Sequence, residues 1–161
     1  MSVNDDVIQI INRTSLIENI LNQVIEKYCC PRKEAFPFFW TVLLDGSIMP
    51  LGAKVKVAMA ISQVIDVKID QDSLHKLISF RNAFAHHAVD AHPRLFVGKT
   101  PEEDELHYML HVVTHSGKIQ QKRRGEALAE FNACYEKSKK SLIDLLGSVI
   151  ANVQGEKSAA P

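Results

Sequence analysis

The chain has few of the features that mark secreted, membrane-spanning or nucleotide-binding proteins. It has three cysteines among 161 residues, and two of these are adjacent (Cys29 and Cys30), which does not make a disulfide framework. The first thirty residues show no signal peptide, and no apolar run approaches the ~20 residues of a membrane span. Glycine-rich phosphate loops, CxxC pairs and internal repeats are also missing. We therefore expect a reduced, cytoplasmic protein with no membrane partner and no cofactor.

An excess of either charge is missing too. The 19 Lys and Arg residues balance the 19 Asp and Glu residues, so no overall positive field attracts nucleic acid. Any contact with RNA would depend on local clusters of basic side chains. Two such clusters are present: Lys118, Lys122, Arg123 and Arg124, and then Lys137, Lys139 and Lys140. Their interpretation as solvated faces of a hairpin and a helix is favoured over RNA binding.

Hydrophobic periodicity predicts that the first half of the chain is mainly helical. Ser15 and Glu18 read as a capping box at the start of a helix that Pro31 ends, with a turn or two at residues 3–12 before it. Residues 45–52 read as a loop. A helix over about residues 53–65 follows it, with Lys54 and Lys56 outside its apolar face.

The second half predicts two more helices. A helix over about residues 73–88 is capped by Asp72 or Ser73. A long helix runs from Gly125 to about residue 153, because its apolar positions recur at alternating steps of three and four, as in a bundle. Residues 154–161 are polar and predict a disordered tail.

Two segments have competing interpretations. Residues 36–40, with their dense aromatics, predict a short helix or turn that fills the core, in preference to an aromatic platform for nucleic acid. Residues 105–123 predict a β-hairpin, in preference to a helix that starts at Thr100. Taken together, the length and pattern predict one domain over residues 1–153. Its class is an all-α, up-and-down bundle of four to five helices with a small inserted β-hairpin.

Residues 81–86, which read Arg-Asn-x-x-x-His, form the most informative motif of the chain. The apolar residues around it recur at helical spacing: Leu74, Leu77, Ile78, Phe84, Ala85 and Ala88. On that pattern Arg81 falls in the middle of the buried stripe, where a cation is normally absent unless it is paired. The motif therefore predicts a functional site in preference to a plain core.

The residue types of the motif suit cleavage of RNA by its own 2′-hydroxyl. An imidazole such as that of His86 can take the 2′-proton or protonate the leaving 5′-oxygen. The guanidinium of Arg81 can hold the phosphate and stabilise the charge that builds on it. The amide of Asn82 can orient the imidazole or donate a hydrogen bond to a phosphoryl oxygen.

The spacing of the motif favours a homodimer. Arg81 and His86 are five residues apart, roughly 140° around a helix, whereas Asn82 and His86 share a face. Two copies facing each other across a two-fold axis would bring arginine and histidine together. His87, about 120° from Arg81 on the other side, is the alternative histidine. In a purely structural alternative, Arg81 pairs with an acid such as Asp90 and both histidines are solvated.

The motif resembles the Arg-x(4–6)-His signature of the HEPN superfamily, and this resemblance implies a dimeric, all-α, metal-independent endoribonuclease. Arg81, Asn82 and His86 would be its catalytic residues, since five-residue spacing with Asn after Arg is the common form in that superfamily. Many members are toxins or phage-defence components, so an antitoxin or regulatory protein is the expected partner and RNA the expected substrate.

Residues 43–56 and 77–82 are similar to the mannitol operon repressor-like branch of the same superfamily. The resemblance covers roughly residues 15–90 and, more loosely, the last helix. Members of this branch that lose the Arg/His pair look like regulators or interaction proteins. A non-catalytic regulatory protein is therefore the alternative function, although this chain retains Arg81, Asn82 and His86.

Histidines at 107, 111 and 115 raise the possibility of a metal site. Spaced four apart on a helix, they would chelate one ion. On a strand, successive members would lie roughly 13 Å apart and would not share an ion. Since strands are favoured here, no metal is expected.

Overall fold

The structure of the protein is a computed structural model that describes residues 3–86, 92–96 and 105–159, with side chains for residues 5–86 and 109–153. These residues form five helices and three strands. In chain order they are α1 (Val3–Cys29), α2 (Phe36–Phe38), α3 (Leu51–Val64), α4 (Gln71–His86), β1 (His92–Phe96), β2 (Glu105–Val113), β3 (Ile119–Arg123) and α5 (Arg124–Ala159). The predicted class, an all-α fold with a small inserted β-hairpin, is confirmed.

α1 is one long helix, and the predicted capping box at Ser15 is wrong. Ser15 is exposed in the middle of α1. The helix continues through it because Ile10, Thr14 and Ile17 are all buried and prolong one stripe across this position. At the other end, Cys30 adopts a φ of 45° and donates its N–H to the carbonyl of Glu26 over 2.9 Å. The predicted end before Pro31 is confirmed.

The aromatic segment lies at the surface, which corrects the prediction that it fills the core. It consists of a 3₁₀ turn at Lys33–Ala35, the single turn α2 and a π-helical turn at Phe39–Leu43, and none of these turns has a buried residue. Phe38 is 56% exposed. Leu44 is the one buried residue between positions 31 and 50.

α3 confirms the predicted helix but not the predicted position of Lys54. Lys54 lies on the buried face, and its ammonium is bonded to the carboxylate of Glu18 and to the carbonyl oxygen of Leu44. These two acceptors allow a cation to be buried there. Lys56 is exposed, as predicted.

α4 begins with a cap from Asp70, which lies two or three residues before the predicted caps, Asp72 and Ser73. The carboxylate of Asp70 accepts hydrogen bonds from the backbone N–H (3.0 Å) and the hydroxyl (2.8 Å) of Ser73. The buried face of α4 consists of Leu74, Leu77, Phe80, Ala83 and Phe84. This face leaves the remaining side of the helix for the polar residues Asn82 and His86 of the Arg-Asn-x-x-x-His motif.

The hairpin is confirmed, and a third strand joins it. β2 and β3 pair antiparallel, with His111 opposite Gln121. The turn between them is closed by Gly117 at a φ of 80° and by a hydrogen bond from the N–H of Thr114 to the carbonyl of Lys118. β1, which the sequence does not predict, pairs antiparallel with β2 and makes a sheet of order β1-β2-β3.

α5 follows the predicted pattern, with Phe131, Ser138, Leu142, Leu145 and Val149 all buried. α5 extends to Ala159. The backbone of residues 154–159 is therefore helical, whereas the sequence predicts a disordered tail there. None of the helices within the described residues is long and apolar enough to cross a membrane.

The chain divides into two compact units. The first comprises residues 1–14 and 75–135, and the second comprises residues 15–74 and 136–161. The sheet and the motif residues of α4 belong to the first unit. α3 and the aromatic segment belong to the second.

A candidate active site in a histidine groove

The first unit contains a groove of about 330 Å³ that is lined by one face of α4 and by the hairpin. This volume lies within the ~300–1,000 Å³ range of small-ligand sites. The polar side chains from α4 are those of His75, Ser79, Asn82 and His86. Those from the hairpin are His111, Thr114 and His115. We call this the histidine groove.

The helical repeat explains how α4 supplies its wall. His75, Ser79, Asn82 and His86 follow each other at steps of four, three and four, so they lie on one face of the helix. The predicted common face of Asn82 and His86 is therefore part of a longer row. Its N-terminal member, His75, is a residue that the motif alone does not reveal, although the same spacing rule would have found it.

Arg81 is exposed, which corrects its predicted place in the buried stripe. The buried residues of α4 advance through Leu77, Phe80 and Phe84, and Arg81 is one step of 100° beyond Phe80. Ala85 belongs to the apolar residues whose spacing predicts the buried stripe, and it is exposed as well. The stripe is therefore centred on a different side of the helix than predicted.

Asn82 connects Arg81 to the histidine groove. The Nη1 of Arg81 donates a hydrogen bond to the side-chain oxygen of Asn82 over 3.1 Å, and Asn82 lines the groove together with His86. Arg81 is not a lining residue itself. Within one chain, the structure thus brings Asn82 and His86 into the groove and leaves the guanidinium at its margin.

The other three imidazoles have defined neighbours. The rings of His75 and His115 stack with their centroids 5.0 Å apart and their planes 21° apart. The Nε2 of His111 lies 2.7 Å from the side-chain amide nitrogen of Gln121. These contacts join α4 to the hairpin turn and β2 to β3, so they hold two sides of the groove in place.

The hairpin histidines whose side chains are described are His111 and His115. β2 is a strand, as predicted, with His111 in it and His115 in the following turn. Among the residues whose side chains are described, no three His, Cys, Asp or Glu side chains are placed to hold a metal ion. The side chain of His107 lies outside that part of the chain, as do residues 87 and 90, the alternative histidine and the predicted acidic partner.

The basic cluster proposed for RNA contact is largely occupied by acidic partners. Lys122 forms an ion pair with Glu130, and Arg123 lies 4.0 Å from the carboxylate of Glu126. Lys118 is exposed in the turn. The contacts of these three side chains therefore favour a solvated surface over an RNA-binding surface.

Arg124, the fourth member of the cluster, is buried and corrects the prediction of an exposed cation. Its Nε bonds the carboxylate of Asp6 over 3.0 Å, and its guanidinium lies 4.9 Å from the ring centroid of Phe84. Its charge is thus engaged in the core of the first unit instead of facing a ligand.

No protein-family model matches this chain, and no curated protein or solved structure matches it either.

Proposed function

We propose that the protein is a metal-independent endoribonuclease, a toxin or phage-defence component whose active site is the histidine groove. The observation that carries this proposal is that Asn82 and His86 share the groove with three further imidazoles. Metal-free cleavage of RNA needs one group that accepts a proton and another that donates one. Imidazoles do both near neutral pH.

In the proposed reaction, the 2′-hydroxyl of a ribose attacks the adjacent phosphorus while one imidazole takes its proton. A second imidazole protonates the 5′-oxygen as its bond to phosphorus breaks. The products are a 2′,3′-cyclic phosphate and a free 5′-hydroxyl, and the imidazoles exchange protons with water to return to their initial forms. Single-stranded RNA is the expected substrate, because its backbone can reach the in-line geometry that this attack requires.

Stabilisation of the negative charge is assigned to Arg81 and Asn82. A guanidinium grips a phosphate with two parallel hydrogen bonds. Since Arg81 lies at the margin of the groove of its own chain, we propose that it serves the groove of a second copy in a homodimer. Asn82 supports this arrangement because its hydrogen bond with Arg81 orients the guanidinium.

The test is cleavage of a single-stranded RNA by purified protein in EDTA, with the ends analysed by mass. We expect cyclic phosphate ends, and we expect His86→Ala to abolish cleavage while the protein still unfolds cooperatively. His87→Ala is the matched control and should remain active. An RNA with 2′-deoxyribose at the cleaved position should resist cutting.

Three results would contradict the proposal. These are inhibition of cleavage by EDTA, equal cutting of the 2′-deoxy substrate, and full activity of both His86→Ala and His87→Ala. If His87→Ala is the inactive variant instead, the reaction class stands and the histidine is reassigned.

A second candidate function, that of a non-catalytic regulatory protein of the mannitol operon repressor-like type, is favoured by one observation. Large apolar side chains of residues 36–48 are exposed, including Phe36, Phe38 (56%) and Ile48 (62%). Exposed apolar side chains concentrated in one segment are typical of protein-interaction sites. Under this function RNA stays intact. Phe38→Ser would then weaken binding of a protein partner identified by co-purification, measured by calorimetry, whereas His86→Ala would not.

A further inference from the structure

The second compact unit contains a groove of about 820 Å³, which is lined by the ends of α1 and α3 and by a late segment of α5. Its volume lies within the ~300–1,000 Å³ range of small-ligand sites. The apolar residues that line it are Val64, Ile65, Val149, Ala151 and Val153. We call it the helix-end groove. None of its described lining residues belongs to the histidine groove.

The apolar side chains of the helix-end groove differ in exposure. Val149 is 1% exposed, whereas Val64, the last residue of α3, is 70% exposed although its side chain is aliphatic. An apolar ligand that covers such a side chain removes apolar surface from water, and this burial favours binding. The polar residues of the groove then decide which kind of ligand is favoured.

One carboxylate gives the helix-end groove its charge. Among the described lining residues Asp66 is the only charged one, and the other polar side chains are those of Tyr28 and Asn152. Asp66 is exposed, and within the described part of the chain no lysine, arginine or histidine forms an ion pair with it. A negative charge beside apolar walls is complementary to a cation with an apolar body. The ring of Tyr28 adds to this preference, because an aromatic face attracts cations.

The turn after α3 holds Asp66 in a defined backbone conformation. Its φ is 52°, and the N–H of Val67 donates a hydrogen bond to the carbonyl of Ser62 over 2.8 Å. After glycine, Asp and Asn are the residues that tolerate this left-handed region best. Asn can therefore replace Asp66 without a change of backbone, so the charge at this position can be tested apart from its conformation.

We infer that the helix-end groove binds a small organic cation, an amine whose ammonium group lies near Asp66 and Tyr28 and whose apolar body covers Val64. Such binding is independent of the proposed cleavage of RNA, because the two grooves share no described lining residue. The ammonium would gain an ion pair and an aromatic contact, and the apolar body would gain burial against the aliphatic walls.

Three probes with the same apolar body and different charges test this site: phenylbutylammonium, phenylbutanol and phenylbutanoate. Each is titrated into the ¹⁵N-labelled chain at neutral pH, and the amide shifts of residues 64–66 and 149–153 give the dissociation constant. We expect the ammonium to bind about 10-fold more tightly than the alcohol, because the ion pair and the ring contact act together. The carboxylate should bind most weakly. Added salt should weaken binding of the ammonium more than that of the alcohol.

Two substitutions separate the contributions of the polar side chains. Asp66→Asn should lower the affinity for the ammonium by about fivefold and leave that for the alcohol unchanged. Tyr28→Leu keeps an apolar side chain and should lower the affinity for the ammonium by about threefold through loss of the ring. Asp45→Asn is the matched control, because it removes the same charge from an exposed loop outside the groove and should bind the ammonium like the wild type.

Four results would overturn the assignment of a cation site. These are an alcohol that binds as tightly as the ammonium, an Asp66→Asn variant with wild-type affinity for the ammonium, and the absence of amide shifts with every probe. The fourth is a dependence of the same amide shifts on protein concentration without any probe, which would show that a second copy of the chain occupies the groove. No RNA enters these measurements, so failure of the ribonuclease proposal would leave their outcome unchanged.

Discussion

Two arginines of the first unit show how the same residue type serves opposite purposes. Arg124 is buried against Asp6 and the ring of Phe84, whereas Arg81 is exposed and bonded to Asn82. The hydrophobic pattern around the motif predicts instead that Arg81 is buried. The partner of Arg124 is 118 residues away in the sequence, so no local pattern could have predicted this ion pair.

Alanine substitutions should separate these two roles. Arg124→Ala leaves Asp6 as a buried charge without its cation, and we expect it to lower the free energy of unfolding by about 3–5 kcal/mol. Arg81→Ala removes an exposed side chain, and we expect a change within about 0.5 kcal/mol. Urea unfolding followed by circular dichroism measures both. A loss of more than about 1 kcal/mol in Arg81→Ala would instead assign a structural role to this arginine.

Asp45 offers a residue-scale test through pH. Hydrogen bonds from the hydroxyl and then from the backbone N–H of Ser47 (2.8 Å for the latter) hold the pKa of Asp45 below its ordinary value. A lowered pKa means that this interaction stabilises the fold above the ordinary carboxyl pKa. The stabilisation is lost as the pH falls through the lowered value.

We expect Ser47→Ala to raise the pKa of Asp45 toward its ordinary value, because the hydroxyl is the larger of the two causes. Recovery should be incomplete, since the backbone N–H remains. The measurement is an NMR titration of the side-chain carboxyl carbon. An unchanged midpoint in Ser47→Ala would show that the hydroxyl does not set this pKa.

At the scale of elements, Lys54 connects α3 to α1 and to the preceding loop. It is 1% exposed, and its ammonium lies 2.5 Å from Glu18 and 2.6 Å from the carbonyl oxygen of Leu44. Glu18, which the sequence assigns to a capping box, instead supplies the acceptor that makes a buried lysine tolerable. The contact of Glu18 with Lys54, 36 residues away, thus takes the place of the predicted local contact with Ser15.

Replacement of this lysine by methionine should be costly even though the volume is retained. Lys54→Met leaves the Leu44 carbonyl without its donor, and we expect a loss of about 1–3 kcal/mol in the free energy of unfolding. Lys56, two positions later in α3 and exposed, provides the matched control, and Lys56→Met should change stability by less than about 0.5 kcal/mol. Equal stabilities for the two variants would contradict a structural role for the Lys54 contacts.

Elements with a strong period are predictable from this sequence, and elements that depend on distant pairing are not. α3, α5 and the hairpin appear where hydrophobic spacing and turn residues predict them. β1 escapes prediction because Pro93 argues against a strand. Proline is tolerated there because β1 lies at the edge of the sheet and pairs only with β2. The capping-box pattern of Ser15 and Glu18 predicts a helix start at Ser15, so the sequence does not show that α1 continues through this position.

At the scale of the whole molecule, the histidine groove combines local and distant contributions. Asn82 and His86 could be predicted together because they are four residues apart on one helix. His111 and His115 enter the site only because the hairpin packs beside α4, a contact that the sequence does not encode at any fixed spacing. The motif thus locates one wall of the site, and the fold supplies the other.

The proposed homodimer makes a quantitative prediction about mixed subunits. If each groove combines His86 of one copy with Arg81 of the other, both Arg81→Ala and His86→Ala homodimers should be inactive. A heterodimer of the two variants would contain one intact groove and one doubly altered groove. Random mixing makes half of the dimers mixed, so co-expression should restore about one quarter of the wild-type activity.

Two affinity tags, one on each variant, allow the heterodimer to be isolated, and its cleavage rate should be about half that of the wild type. His86→Ala paired with itself through the same tags is the control, because tagging alone should not restore activity. A heterodimer as inactive as its parents would show that Arg81 and His86 must act from the same chain. In that case the guanidinium at the margin of the groove would have to turn toward its own His86 when RNA binds, and Asn82, which now holds it, would be the contact that breaks.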